Sequence, residues 1–284
     1  MDVHIEQLNK EFVNIKFAGS KEPIIRIMND IIKNREVEDE DLFVIEGLWA
    51  YEKIIKSNIR IRSFMFCPDF IKNYSMLQMV RFNISVADNS NLISSNLCSR
   101  LSSRNSGEGF FLLCSLPQFM LSDIELRENN LIVILDGLEK PGNIGTIIRS
   151  ADGAGCDGVI ICNSMVRKTN QKLIKSSMGS SFILPVIKND ITKTIMWLKS
   201  NGFKIIITDL KASNRYYNAN YKGRVAIIAG NEIHGISDIW NEYECERVLI
   251  PMFGGADSLN VGVAASMVIY EASYRQRELI ERLV

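Results

Sequence analysis

Leu131-Ile-Val-Ile-Leu-Asp-Gly-Leu-Glu-Lys-Pro-Gly-Asn-Ile-Gly-Thr-Ile-Ile-Arg149 holds the reading of the fold in one stretch. Leu131 to Leu135 is a continuous apolar run of strand length, suited to a strand buried on both faces. Glycine and proline punctuation follows, and from Ile144 to Gly153 the apolar residues recur at helical spacing. A strand, a glycine-bearing turn and a helix in that order form half of a βαβ unit.

The alternation continues toward the C-terminus. Val159 to Cys162, Phe182 to Pro185, Lys204 to Thr208, Val225 to Ala229 and Val248 to Ile250 read as further strands. Thr169 to Ser176, Ile191 to Ser200 and the span from Val261 onward read as helices. Short β-branched runs alternating with helical segments predict an α/β domain with a mostly parallel sheet covered on both faces. Upstream, the pattern predicts a smaller αβ domain. Its helices are expected at Glu22 to Asn34, Leu48 to Lys56 and Met76 to Arg81, and its strands at Leu42 to Ile45, Ile61 to Phe66 and Phe110 to Cys114. The polar stretch Ser99 to Gly109 reads as a loop, in which Arg104 could meet a polyanion. Residues 1–114 are thus expected to form one domain, 115–130 a linker and 131–284 the second domain.

In open α/β sheets ligands bind beyond the carboxyl ends of the strands, so three loops carry the chemical interest. The first, Asp136 to Gly145, offers Asn143 and leads to Arg149. Taken alone, it reads equally well as a plain strand-to-helix turn with a surface arginine. The second, Ala229-Gly-Asn-Glu-Ile-His-Gly235, ends before a further expected helix, carries Glu232 between glycines and could also be an ordinary turn with a solvated acid. The third, Ile250-Pro-Met-Phe-Gly-Gly-Ala-Asp-Ser-Leu-Asn260, ends at a helix start, where Ser258 is placed as an N-cap. An N-cap explains one residue of that turn and not the succession of Pro-Met, paired glycines and Ser-Leu-Asn. Gly153-Ala-Gly-Cys-Asp-Gly158 matches G-x-G-x-x-G, but it follows a helix and precedes a strand, the reverse of the dinucleotide-binding order.

Composition narrows the class. Of 284 residues, 46% are hydrophobic, and 33 basic residues balance 33 acidic ones, which argues against a protein that coats nucleic acid without selectivity. The charge is unevenly placed. Asn163 to Lys199 holds Arg167, Lys168, Lys172, Lys175, Lys188, Lys193 and Lys199 against the single acid Asp190, a pattern open to a local phosphate footprint or to solvated helix faces. The six cysteines form no Cys-x-x-Cys pair and only two histidines are present, so no metal site is expected. There is no basic-then-apolar leader and no apolar run near the roughly eighteen residues needed to span a bilayer, so a reduced, cytoplasmic protein without a membrane partner is the expectation.

Taken in order, the three loops resemble the three motifs of the SpoU (TrmH-like) family in the SPOUT superfamily of RNA methyltransferases. Asn143-Ile-Gly-Thr-Ile-Ile-Arg149 resembles the first motif, Gly230-Asn-Glu232 with Gly235 the second, and Ile250-Pro-Met through Ser258-Leu-Asn260 the third. The likeness is strong from Leu131 to about Gln276. More loosely, residues 1–114 are similar to the ribosomal-protein-like RNA-binding domain of several members, with Phe43-Val-Ile-Glu-Gly47 and Leu101-Ser-Ser near Gly107 fitting that pattern.

The resemblance implies an S-adenosylmethionine-dependent RNA 2′-O-ribose methyltransferase. It also implies a trefoil knot in the C-terminal domain and a homodimer with the active site near the subunit interface. By motif position, Gly230, Ile250 and Leu259, with Met252 nearby, would hold the cofactor. Arg149 would stabilise the developing alkoxide or grip the adjacent phosphate, while Asn143, Glu232, Ser258 and Asn260 orient the reacting groups. Arg104, Arg167, Lys168 and Lys172 are the candidates for RNA contact, with ribosomal RNA favoured over transfer RNA. One departure stands out, because Gly262 occupies a position where the family usually has serine. Two other readings remain open: a non-catalytic RNA-binding protein of the same architecture, and a doubly wound nucleotide or flavin enzyme.

Overall fold

The computed structural model describes residues 8, 11–12, 15–39, 41–57, 59–102 and 108–281, with side chains described to residue 277. The expected loop residue Arg104 lies outside them. The chain divides into two compact units, Met1–Pro117 with Thr169–Gln171, and Gln118–Lys168 with Lys172–Val284.

In the first unit, β1 (Ile15–Phe17), β2 (Leu42–Glu46), β3 (Arg60–Phe66), β4 (Ser90–Leu92) and β5 (Phe110–Ser115) form a mixed sheet in the order β1-β4-β3-β5-β2. β4 runs parallel to both its neighbours, and β5 antiparallel to both of its own. The helices are α1 (Pro23–Ile32), α2 (Tyr51–Ile55), α3 (Tyr74–Val86) and α4 (Ser95–Leu101). α1 starts on Pro23, whose fixed φ suits the first helical position, and buries Ile25, Met28 and Ile31 along one face. The side chains of Asn73 and Ser94 cap α3 and α4 by accepting from Met76 N at 2.9 Å and Leu97 N at 3.2 Å. Ser99 to Leu101 therefore belong to α4 and not to the expected loop. The helix expected at Met76 to Arg81 is longer, and that expected at Leu48 to Lys56 is shorter.

The second unit holds a sheet of seven strands among the described residues, ordered β10-β12-β9-β11-β6-β7-β8 and parallel throughout. Its strands are β6 (Asn130–Asp136), β7 (Gly158–Cys162), β8 (Val186–Lys188), β9 (Lys204–Thr208), β10 (Asn214–Arg215), β11 (Arg224–Gly230) and β12 (Glu246–Leu249). Its helices are α5 (Pro141–Ala154), α6 (Gln171–Ser177), α7 (Ile191–Ser200) and α8 (Val261–Glu281). Every residue of β6 and β7 is buried, as the continuous apolar runs require of a sheet covered on both faces.

Two sequence expectations need correction in this unit. The strand expected at Phe182 to Pro185 lies at β8 instead, because residues 180–182 form a 3₁₀ turn. Pairing begins where the Pro185 carbonyl accepts from Val159 N at 2.8 Å. The loop after β11 leads into a 3₁₀ helix, Asp238–Glu242, where an α-helix is expected. Within the span expected as linker, Ile124 joins the sheet's core, with Phe119 and Leu121 packed against it.

From β6 the chain passes to β7 and β8 on one side, whereas β9 to β12 all lie on the other, so the strand order reverses between β6 and β11. Crevices beyond the carboxyl ends of strands at such a reversal are where open parallel sheets take ligands. α8 returns over the sheet and packs on α5, β6 and β11. Ser273 Oγ and Arg277 donate to the Ala154 carbonyl at 2.6 and 3.0 Å. Gln276 Nε2 faces the carbonyls of Asn130, Tyr221 and Gly223 at 3.3, 3.0 and 2.9 Å.

Candidate active site and cofactor cavity

A cavity of about 600 Å³ opens beyond the carboxyl ends of β9, β11 and β12. Its wall includes Thr208, Gly230, Ile236, Ile250, Met252 and Leu259. All four residues expected to hold a cofactor, Gly230, Ile250, Met252 and Leu259, therefore border one space, and Glu232 and Ser258 border it too.

Gly230 is required by a close approach of backbone to backbone. A Cβ built there would stand 2.5 Å from the carbonyl carbon of Gly235 and 2.7 Å from Ile236 N. The approach is imposed by Asn231 and Gly235, which exchange reciprocal backbone hydrogen bonds of 2.7 and 3.0 Å. The Asn231 side chain accepts from Ile233 N at 2.8 Å and His234 N at 3.1 Å, and donates to the Gly137 carbonyl at 2.8 Å. The second loop is thus fastened to the first.

From Glu232 at the cavity, polar groups expected to do chemistry form a chain leading away from it. Glu232 accepts from Asn143 Nδ2 and lies 3.4 Å from Lys140 Nζ. Asn260 Nδ2 donates to Asn143 Oδ1 at 3.2 Å, so the first, second and third loops meet at one asparagine. Asn260 also caps α8: its Oδ1 accepts from Gly262 N at 2.9 Å, and its carbonyl accepts from Ala264 N at 2.9 Å. The cap is therefore Asn260 and not Ser258, which stays exposed at the cavity. Gly262 has a local reason as well, since a Cβ there would meet Asn260 Oδ1 at 3.0 Å and Thr146 Cγ2 at 3.4 Å.

Arg149 is not drawn into this chain. Its side chain is exposed and, among the described residues, makes no hydrogen bond or ion pair. Of the expected RNA contacts, Lys172 is exposed, and its Cε would lie 3.2 Å from a Cβ on Gly142, beside Asn143. Arg167 and Lys168 are half-buried, and Lys168 Nζ donates to Gln118 Oε1 at 3.3 Å.

Sequence reading passed over two groups. Asp136, quoted in the opening stretch, is buried and accepts several hydrogen bonds beneath the second loop. Asp209 borders the cavity and pairs with Arg247 at 2.7 Å, and Arg247 in turn donates to Asn241 Oδ1 at 2.6 Å. The Lys211 N–H, together with the Arg247 guanidinium, holds the Asp209 carboxyl below its usual range. The available signal was the same in both cases: an acid directly after an apolar strand, where ligand-facing loops begin. Elsewhere, five of the six free cysteines are buried, and burial raises the Cys162 thiol to about 11. Among the described residues no cluster of His, Cys, Asp and Glu could hold a metal ion.

Comparison with known proteins places this geometry. Residues 130–270 match the SpoU rRNA Methylase family. Over 257 residues, 90% of this chain and 98% of the relative, the sequence is 26% identical to the Bacillus subtilis 23S rRNA (guanosine(2553)-2'-O)-methyltransferase RlmP. Over 169 residues, 59% of this chain and 67% of the relative, it is 36% identical to a Staphylococcus epidermidis protein assigned to the TrmH family of tRNA/rRNA methyltransferases. The AdoMet-bound rRNA methyltransferase from Sinorhizobium meliloti superposes with a TM-score of 0.81 at 24% identity, covering 92% of this chain and 98% of that one, and so shares its fold. The loops that meet at Asn143 all fall within the matched residues, and the chain belongs to the SpoU rRNA methylase family.

Proposed function

We propose that this protein transfers a methyl group from S-adenosylmethionine to a ribose 2′-oxygen of RNA, with ribosomal RNA favoured as substrate. The observation that carries the reading is the meeting of three motif loops beside one cavity, with Glu232, Asn143 and Asn260 hydrogen-bonded in series at its edge. The cavity suits the cofactor: its volume of about 600 Å³ falls within the usual range for small-molecule sites. The glycine at Gly230 lets Gly235 and Ile236, both on the wall, close against it, while Ile250, Met252 and Leu259 offer apolar contact. The Bacillus subtilis relative is named for 2′-O-methylation of 23S rRNA, which favours ribosomal RNA here.

When bound, S-adenosylmethionine supplies an electrophilic methyl group. A ribose hydroxyl is a very weak acid, so positioning and stabilisation of the developing alkoxide supply much of the rate. Glu232, held by Lys140 and Asn143, orients the hydroxyl, and Ser258 at the cavity edge assists. The Arg149 guanidinium keeps its proton, its pKa lying above about 12, and therefore acts electrostatically on the alkoxide or the neighbouring phosphate. Arg104, Arg167, Lys168 and Lys172 contact the RNA backbone.

The active form is a homodimer. α8 exposes Val263, Met267, Tyr270 and Tyr274, spaced as one helical stripe. Ser150, next to Arg149 in α5, accepts from Ser266 of α8 at 2.7 Å, which ties the helix that carries Arg149 to the helix that bears this stripe. The passage from β11 through β12 to α8 forms the trefoil threading of the family, and the protein works in the cytoplasm.

The test is transfer of labelled methyl to total RNA from a strain lacking the gene, comparing the wild type with Arg149→Ala and mapping the nucleotide. Label on a ribose 2′-oxygen that is lost in the variant supports the reading. An Arg149→Lys enzyme with a normal single-turnover rate overturns the role given to the guanidinium, and absence of cofactor binding favours a non-catalytic RNA-binding protein.

A further inference from the structure

Asp136 closes β6 as a fully buried carboxylate, 1% exposed, and among the described residues no cation pairs with it. Its charge is balanced by four hydrogen bonds. Oδ1 accepts from Asn163 Nδ2 at 2.8 Å and Ser237 Oγ at 3.0 Å. Oδ2 accepts from Ser237 N at 2.7 Å and Trp240 Nε1 at 3.0 Å. The donors come from two other places: Asn163 follows β7 in a left-handed conformation with φ of 53°, and Ser237 and Trp240 belong to the segment after β11. Asn163 Nδ2 also reaches Ser237 Oγ at 3.0 Å, so that hydroxyl accepts from the amide and donates to the carboxylate.

A buried carboxylate without a counter-ion is costly unless its lone pairs are filled, and here each oxygen takes two donors. The segment it holds is short, and its other end is closed by the Asn231–Gly235 pair. Between the two fastenings lie Glu232, Gly235 and Ile236, all on the cavity wall. We propose that Asp136 is a positioning residue that fixes the loop 231–240 through Ser237 and Trp240, and so sets both the cofactor cavity and the placement of Glu232. This rests on the cavity's being the cofactor site for its binding consequence, but not for its effect on the loop.

The chemistry of the site makes the charge distinguishable from the shape. Asn is isosteric with Asp but uncharged: with its oxygen kept on Ser237 N–H and Trp240 Nε1–H, its nitrogen faces the Asn163 amide, which must turn over, and every charge-assisted hydrogen bond becomes a neutral and weaker one. Asp136→Asn should therefore free the loop while leaving the sheet packed. Hydrogen exchange of the free full-length protein should show faster exchange at the amides of 231–240, Ser237 foremost, with protection in β6 and β7 unchanged. Calorimetry should show S-adenosylmethionine binding weakened about tenfold, the loss expected for one charge-assisted buried hydrogen bond. The KM for RNA should stay within twofold.

Trp240→Phe removes one donor to the same carboxylate, so adding it to Asp136→Asn should cost less affinity than it costs alone, a non-additivity that a generally weakened fold does not give. Should Asp136→Asn not fold, Ser237→Ala removes one donor and should move the same two readouts in the same direction by a smaller amount. Unchanged exchange at 231–240 overturns the proposal, as does equal loss of protection throughout the second unit. If the wild type binds no S-adenosylmethionine but the exchange pattern appears, the cofactor reading fails while the role of Asp136 stands.

Discussion

Gly230→Ala tests the geometry at its tightest point. The new methyl would lie 2.5 Å from the carbonyl carbon of Gly235, 2.6 Å from its oxygen and 2.7 Å from Ile236 N, all backbone atoms that no rotamer change can move. Carbon contacts settle at about 3.5–4.0 Å, so the two strands of the loop must part by about 1 Å. Parting breaks the reciprocal Asn231–Gly235 hydrogen bonds of 2.7 and 3.0 Å. At about 1 kcal/mol net for each bond, the cost is about 2 kcal/mol, within the range of about 1–3 kcal/mol for overpacking. In thermal unfolding this should appear as a fall of about 4–8 °C. Gly235 and Ile236 line the cavity, so a bound S-adenosylmethionine must restore the displaced wall, and its dissociation constant should rise about thirtyfold. Titration calorimetry on wild type and variant, beside a melting curve, reads both quantities. A Gly230→Ala protein with wild-type melting temperature and wild-type affinity would refute the close approach and, with it, the reading of Gly230 as a cradle.

The remaining predictions concern charge, buried polarity and assembly. The Asp209 carboxyl is held low by the Lys211 N–H and Arg247, so its stabilisation is present at neutral pH and lost as pH falls through its depressed titration. The melting-temperature gap between wild type and Asp209→Asn should be largest near neutrality and close below a pH of about 4, and a gap that does not change with pH counts against the pairing. Gln276→Leu removes the donor facing three carbonyls and should cost about 1–3 kcal/mol in urea unfolding, whereas an unchanged midpoint would show that those carbonyls find other partners. Tyr270→Glu places a charge in the exposed stripe of α8 and should yield monomer in sedimentation where the wild type is dimeric, with methyl transfer reduced; a dimeric variant moves the interface elsewhere.

Much of the second unit was legible because its periodicities are strong. Lys204 to Thr208 and Ile191 to Ser200 match their elements end to end, and β6, β7 and β11 differ from expectation only at their ends. Apolar residues in Phe182 to Pro185 misled because a buried turn and a buried strand share a composition, and the proline that begins the pairing is not itself in the strand. Three-residue strands such as β1 and β4 are too short for alternation to register. The motif loops could be named from residue types in order. Their hydrogen bonds could not, since Asn143 and Glu232 lie 89 positions apart in the chain and Asn260 lies 117 positions beyond Asn143.

By itself the sequence determined the class of fold, the onset of regular strand–helix alternation at Leu131 and the three loops with their candidate residues, because these depend on local periodicity, turn chemistry and motif order. Only the tertiary structure decided which groups share a space. It placed Gly230, Ile250, Met252 and Leu259 on one cavity, gave the cap of α8 to Asn260, left Arg149 outside the polar chain, and joined the buried Asp136 to Ser237 and Trp240 after the second loop. Strand order and crossover set those juxtapositions, and they bring together groups far apart in the chain whose pairing no local propensity encodes.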